Sequence, residues 1–385
     1  MKYDFDHETG RKGSDSYKWQ KYGDDVIPLW VADMDFVSPQ PVIDALRTRV
    51  DHGVFGYTRA PRDLTLIIQE RLKRLYGWET REEDIVYLPG VVSGLNLAFQ
   101  VFAGQQDAVL VQPPVYSHFM RDPLLRGRNV IDPPLIEKND TYGIDFDAFE
   151  ESITDRTKIF ILCNPHNPVG RVFTREELER LAHICLRHNV LICSDEIHCD
   201  LVFPGFRHTP IATLGREVEE RTVTLMAPSK TFNVPGLGCA FAIIRNEALR
   251  GMWVSGSQGL IPHVNIMGFT AALAAYRDGQ EWLDQVISYL EGNRDFLMQF
   301  VREKLPGLRM KRMEATYLAW LDCRQSGIPG NPFDFFLGEA KVAFNDGTEY
   351  GKGGEGFVRL NFACTRRRLA EVLDRMTQAL QQIKV

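Results

Sequence analysis

Long apolar runs are missing from this sequence. No stretch of its 385 residues reaches about 18 uninterrupted apolar positions, which excludes a bilayer-spanning helix on length. The opening residues, MKYDFDHETGRKGSD, are polar and lack the apolar h-region of a secretory leader, so the cytoplasm is the expected compartment. Cysteine pairs at C-x-x-C spacing are absent as well. The seven cysteines are odd in number, and most sit inside apolar runs such as FILCNP and VLICSDE. Buried, reduced thiols fit that pattern better than disulfides. Cys193, His198 and Cys199 lie close together, but their spacing matches no structural zinc pattern, and no metal is expected. The 45 Lys and Arg are mixed among 51 Asp and Glu, net −6, with no basic stripe, so no nucleic-acid partner is read. Internal repeats and low-complexity tracts are not found.

What is present is ordinary globular material, 44% hydrophobic and 25% charged, in a chain long enough for more than one domain. Short apolar runs alternate with helical patterns through the middle. That is the signature of an α/β protein with a mostly parallel central sheet flanked by helices. The expected strands are DAVLVQ (107–112), TKIFILC (157–163), NVLICSD (189–195), TVTLMA (222–227) and CAFAII (239–244). The helical pattern TREELERLAHICLRHN (174–189) opens with Thr174 as N-cap and Glu177 three residues on, a capping box. From about 281 a long amphipathic helix, further strand patterns and a last helix indicate a smaller α+β domain. The expected division is an arm over 1–48, packing with the small domain and the subunit interface, a large domain over 49–280 and a small one over 281–385.

The ends of the expected strands carry the chemistry. AVLVQ runs into PPVYSHF, IFILC into NPHNPVG, VLIC into SDEIH and TLMAP into SKTFN. Ligands of open α/β sheets bind beyond the carboxyl ends of parallel strands, so Tyr116, Asn164, Asp195 and Lys230 are expected to share one crevice. The setting of the lysine is the strongest signal. In TVTLMAPSKTFNVPGLGCAFAII (222–244) two apolar runs break around Ser229-Lys230-Thr231, followed by Asn, Pro and glycines. A surface lysine needs no such setting, whereas a lysine held in a cleft with a carbonyl partner does.

These four residue types fit pyridoxal 5'-phosphate (PLP). The amine can form a Schiff base, the carboxylate can keep the pyridine nitrogen protonated, the amide can reach the phenolic oxygen and the aromatic ring can stack. In YLPGVVSGLNLAFQVF a helix starts after Pro89-Gly90, and the N–H groups of Val91, Val92 and Ser93 suit a phosphate, with the Ser229 hydroxyl as a further partner. GKGGEGF lacks the Lys-Ser/Thr ending of a P-loop and reads as a flexible loop.

Longer segments add a resemblance. WVADMDF (30–36), GVFGYTR (53–59), NPHNPVG (164–170), SDEIHCDL (194–201), SKTFNVPGLG (229–238), NIMGFTAALAAYRDGQEWL (265–283) and VRLNFACTRRRL (358–369) run in order across nearly the whole chain. They resemble the fold-type I PLP enzymes of the class I/II aminotransferase superfamily, and within them the cystathionine β-lyase (C–S lyase) subgroup. The resemblance implies the aspartate aminotransferase-like fold, with Lys230 as the Schiff-base lysine and Asp195 as the pyridinium partner. It implies Asn164 on the phenolic oxygen, Tyr116 on the ring and Arg359 as a bidentate clamp on the substrate α-carboxylate, beside the backbone of Ala32. Tyr57 is expected to reach the phosphate of a neighbouring subunit, in a homodimer with shared sites.

Two positions depart from transaminating relatives. His198 stands where they carry tyrosine, and Gly238 where they carry a phosphate-binding arginine. Both are usual in the C–S lyase subgroup, so the phosphate must rely more on Tyr57, Ser229 and the helix start. His198 reads either as a cofactor contact or as a satisfied core histidine. The implied reaction is α,β-elimination of cystathionine or another S-substituted L-cysteine to a thiol, pyruvate and ammonia, with Lys230 removing the Cα proton. The rivals are an aminotransferase on the same cofactor and a regulatory protein that retains it. The thiol side of the substrate is not legible in the sequence.

Overall fold

A computed structural model describes residues 2–383. Its centre is a seven-stranded sheet: β1 (Ile85–Leu88), β2 (Ala108–Leu110), β3 (Asn129–Ile131), β4 (Thr157–Cys163), β5 (Leu191–Asp195), β6 (Thr222–Met226) and β7 (Ala240–Ile244), in the spatial order β1-β7-β6-β5-β4-β2-β3. The five strands from β3 to β6 in that order are parallel, and β7 is antiparallel to both of its neighbours.

Both faces of the sheet are covered, which explains why its strands read as unbroken apolar runs. Alternate residues of β4 go to opposite sides. Ile159, Ile161 and Cys163 join the core under the helix Val91–Phe102, while Phe160 and Leu162 pack with Leu178, Leu181 and Cys185 of the helix Arg175–Arg187. That second helix starts with the capping box: the Thr174 hydroxyl accepts from Glu177 N at 3.2 Å, and the Glu177 carboxylate accepts from Thr174 N at 2.9 Å. It ends two residues before the sequence pattern does, because Asn189 adopts a left-handed backbone, φ 56°, that breaks the helix ahead of β5.

The C-terminal part begins with the helix Gln280–Lys304. A four-stranded antiparallel sheet follows, in the order Arg309–Met310, Leu318–Asp322, Phe357–Asn361, Asn345–Asp346, and the helix Arg366–Gln382 closes the chain, capped by Thr365. The N-terminal segment is built into this half. Ile27–Pro28 pairs in parallel with Val342–Ala343, and Phe5, Leu29, Met34 and Phe36 share a core with Trp282, Leu290, Leu318 and Phe344. All seven cysteines are unpaired and six are buried. Among the described residues no helix is long and apolar enough to cross a membrane.

Candidate active site

The carboxyl ends of β4, β5 and β6 open onto a crevice of about 550 Å³. Tyr116, Asp195, His198, Ser229, Lys230 and Arg359 line it, together with Ala32 and the turn Pro89–Ser93. Strand topology brings the first five together; Arg359 arrives from the C-terminal sheet, in the strand Phe357–Asn361.

Asn164 is not among the lining residues, contrary to the sequence expectation. Its amide is spent inside the protein: Oδ1 accepts from Phe173 N at 3.1 Å, and Nδ2 points to Thr209 O at 3.5 Å. Asn167, three residues on in NPHNPVG, takes its place in the crevice. Its Oδ1 accepts from Arg359 Nη1 at 3.1 Å, which leaves the Nδ2 donor for a ligand. The signal was present in the sequence, since the motif contains two Asn-Pro units; only the folded loop shows which amide is already used. Tyr57 is not brought to this crevice either. It is fully exposed on the loop between the helices Gln40–His52 and Arg62–Tyr76.

Lys230 lies in a one-turn helix, Pro228–Thr231, at the end of β6, and its Nζ donates to the Ala32 carbonyl at 2.7 Å. Burial lowers its pKa to about 8; the Arg359 charge pushes the same way, and Asp33 and Asp195 push back. Asp195 ends β5 and is raised to about 7, chiefly by burial and further by Glu196, against Lys230 and the N–H of Ile197. One oxygen accepts from Ile197 N at 3.1 Å, and the other has no protein donor among the described residues. A buried carboxylate in that position calls for a cation. His198 is pressed down to about 3 by burial, then by Lys230 and Arg359, so it is neutral and its Nδ1 has no partner.

Arg359 is the converse case. Its guanidinium is buried yet meets no carboxylate among the described residues. Nη2 donates to Trp30 O at 2.7 Å and Asn345 Oδ1 at 2.6 Å, and Nε has no partner. Neutral oxygens orient the fork and leave its charge for an anion.

The segment that supplies Trp30 and Ala32 is pinned at several points the sequence did not single out. Asn361 Nδ2 donates to Val31 O and Asp33 O, both at 2.6 Å; Asn233, at φ 55°, grips Met34 and Phe36. Arg11 and buried Lys18 tie down Asp33 and Asp35. Tyr317 shares the Ala32 carbonyl with Lys230, at 2.9 Å. Close packing fixes the opposite wall. Gly268 lies so near the loop after Lys230 that a Cβ there would stand 2.6 Å from Leu237 O and 2.9 Å from Gly238 O.

PLP fits these donors. Asp195 offers a buried anion for the ring nitrogen, Asn167 a free amide donor, and Tyr116 a ring backed by His118 and Phe119. The helix Val91–Phe102 starts at Gly90 with no side chain capping it, so its first N–H groups face the crevice unclaimed, next to Ser229. Gly238, at φ 60°, puts no cation there. Among the described residues no cluster of His, Cys, Asp and Glu could hold a metal.

Comparison with known proteins bears on the family and on the cofactor. The profile of the family "Aminotransferase class I and II" matches residues 24–376. The chain belongs to that family. Cystathionine beta-lyase PatB of Bacillus subtilis is 40% identical over 384 residues, 98% of this chain and 99% of PatB. The crystal structure of OvoB superposes with a TM-score of 0.94 at 42% identity, covering 98% and 99% of the two chains. Cystalysin of Treponema denticola, solved with PLP, gives 0.95 at 32% identity over 99% of this chain and all of the other. Within the family this chain stands with the PLP-dependent carbon–sulfur lyases, and PLP is its cofactor.

Proposed function

We propose that this carbon–sulfur lyase takes an S-substituted L-cysteine, cystathionine among the candidates, and with one water yields a thiol, pyruvate and ammonia. The observation that carries the reading is the pairing of Arg359, a buried guanidinium with no carboxylate, with Lys230, an amine whose pKa of about 8 leaves a substantial neutral fraction near neutrality. Arg359 receives the α-carboxylate in bidentate fashion. That anchor places Cα within reach of Lys230, whose neutral amine takes the Cα proton. When bound, the cofactor supplies an aldehyde for the substrate amino group and a ring that withdraws electrons from Cα. Asp195 keeps the ring nitrogen cationic, Asn167 donates to the phenolic oxygen, Tyr116 covers the ring, and Val91, Val92 and Ser229 hold the phosphate. Neutral His198 fills the wall without adding charge.

The same reading takes residues 1–48 as an arm, 49–280 as the cofactor-binding unit and 281–385 as the small unit. It makes the protein a homodimer, supported by the exposed Val54, Phe55 and Tyr57 on one loop, a surface that a second copy would cover. Seven unpaired cysteines accord with the reducing cytoplasm.

The test is a panel of S-substituted cysteines scored for pyruvate and free thiol. Equal amounts of both from at least one member are expected, and Lys230→Ala should remove ~10²-fold or more of the rate. Amino-group transfer to a keto acid with no pyruvate from any member would replace the lyase by a transaminase.

A further inference from the structure

A second cavity, about 750 Å³, lies away from the crevice. It forms where the hairpin of Ile136–Lys138 and Thr141–Gly143 meets the end of the helix Gln280–Lys304 and the C-terminal sheet. Its floor is aromatic. Trp320 and Phe357 stack with centroids 4.9 Å apart at 9°, and Tyr142 stands at one side. Trp320 and Tyr142 are only 5% and 4% exposed. The indole Nε1 and the phenol hydroxyl are buried, and neither completes a hydrogen bond of good geometry, although the indole N–H lies close enough to act on the hydroxyl. Buried groups of this kind ordinarily have partners, so an acceptor offered to both would relieve a standing cost.

The rim is cationic. Two of the three acids there are already engaged: Arg324 pairs with Glu137 at 2.9 Å and Asp322 at 2.8 Å, and Lys311 lies 3.5 Å from Glu137, while Asp140 forms no ion pair among the described residues. Arg309 and Arg312 also border the cavity, are exposed, and meet no carboxylate within ion-pair distance among the described residues. Arg309 does face Asp322 across the strand pair, and the Arg312 guanidinium carbon lies 5.3 Å from the Phe206 ring, but neither is held in an ion pair. Aromatic walls, buried donors and these guanidinium groups together select a flat, acceptor-rich anion.

We propose that this cavity binds a small planar aromatic carboxylate, with its ring against Trp320 and Tyr142 and its charge toward Arg309 and Arg312. The site has a physical link to the crevice. Trp320 is the cross-strand partner of Arg359. Between them stands Tyr350, its ring 5.2 Å from that of Trp320 and 5.3 Å from the Arg359 guanidinium carbon. A ligand that settles Trp320 therefore acts on the ring that backs the carboxylate clamp, and its effect falls on KM for the amino acid rather than on kcat.

The experiment is calorimetric titration of the full-length, PLP-loaded protein with 4-hydroxybenzoate, using phenol and cyclohexanecarboxylate as uncharged and non-planar controls. Saturable binding of one 4-hydroxybenzoate per chain is expected, at least about fivefold tighter than either control. The exposed double variant R309A/R312A should weaken it about tenfold and leave turnover without the ligand unchanged. Arg359→Ala should leave the titration as it is, which separates this cavity from the crevice's own carboxylate site. No saturable binding, or binding lost in Arg359→Ala and untouched in R309A/R312A, would overturn the proposal. The titration needs no turnover, so its outcome is independent of whether the lyase reading holds.

Discussion

Asn167 and Arg359, 192 residues apart, meet inside the crevice, where the amide oxygen of the first accepts from Nη1 of the second at 3.1 Å. The bond fixes the amide so that its NH₂ is the end offered to a ligand, and it turns the guanidinium without neutralising it. The two asparagines of NPHNPVG therefore have separable roles. Asn167→Ala should lower kcat/KM ~10- to 100-fold with little change in melting temperature, because a hydrogen bond to a charged group is lost. Asn164→Ala should leave kcat/KM within about threefold but cost ~1–3 kcal/mol of stability, since Phe173 N loses its acceptor in a buried place. Steady-state kinetics and denaturant titration on both variants check this.

Arg359→Lys keeps the charge and loses the fork that Trp30, Asn167 and Asn345 orient. The expected result is a rise in KM for the amino acid of ~10- to 100-fold with a smaller fall in kcat, measured as a kcat against KM split. An unchanged KM would place the α-carboxylate elsewhere.

Asp195 gives the cofactor-free protein a pH signature. Its folded pKa of about 7 lies above the ordinary carboxylate value of 3.8, so the folded state binds the extra proton. That stabilisation is complete below about pH 4 and is lost as the pH rises to about 7, by up to ~4 kcal/mol. Asp195→Asn should therefore melt higher than the parent at pH 8 without cofactor, yet be the poorer catalyst with it. Thermal melts at pH 5 and pH 8, with and without PLP, test the sign.

Tyr57 and Lys230 should complement each other across subunits. Neither Tyr57→Ala nor Lys230→Ala alone is expected to retain full activity. Mixing the two, unfolding and refolding them together should restore about a quarter of the parental activity, because half of the chains' pairings are mixed and each mixed pair has one intact site. No recovery in a mixture shown to contain hybrid dimers would remove Tyr57 from the neighbouring site.

Replacing Gly268 should act from outside the crevice. A methyl group in Gly268→Ala would press on the carbonyls of Leu237 and Gly238 and shift the loop that follows Lys230. Cofactor affinity is expected to fall about tenfold while the unfolding midpoint of the loaded protein drops by a few degrees, both measured by titrating PLP.

Much of this was readable from the chain because local physics and global fold agree in the sheet. β4 occupies all of TKIFILC, since a strand covered on both faces is apolar where it is buried, here through Ile159–Cys163, with Lys158 left exposed near its start. The capping box at Thr174 marked a helix start that depends only on four consecutive residues. Lys230 and Asp195 were legible because strand ends converge in a parallel sheet. The asparagine assignment slipped because both candidates sit in identical Asn-Pro contexts, and the choice rests on whether a backbone N–H nine residues downstream has claimed the amide. Trp30, Asn345 and Asn361 escaped for a related reason. Their contributions are carbonyls and amides that steer other groups, and no spacing in the sequence reports what a side chain 300 residues away will grip.

The pairing of Ile27–Pro28 with Val342–Ala343, and the grip of Asn361 on Val31 and Asp33, have a consequence for how the protein comes to be made. Residues 27–33 belong against residues 342–361, which are added much later in the chain. During synthesis they have nothing to bind, and the carboxylate clamp cannot assemble on a nascent chain, however well the central sheet has formed. Competence to hold substrate thus waits for Arg359 and Asn361, and a chain that stops before residue 359 lacks the clamp altogether.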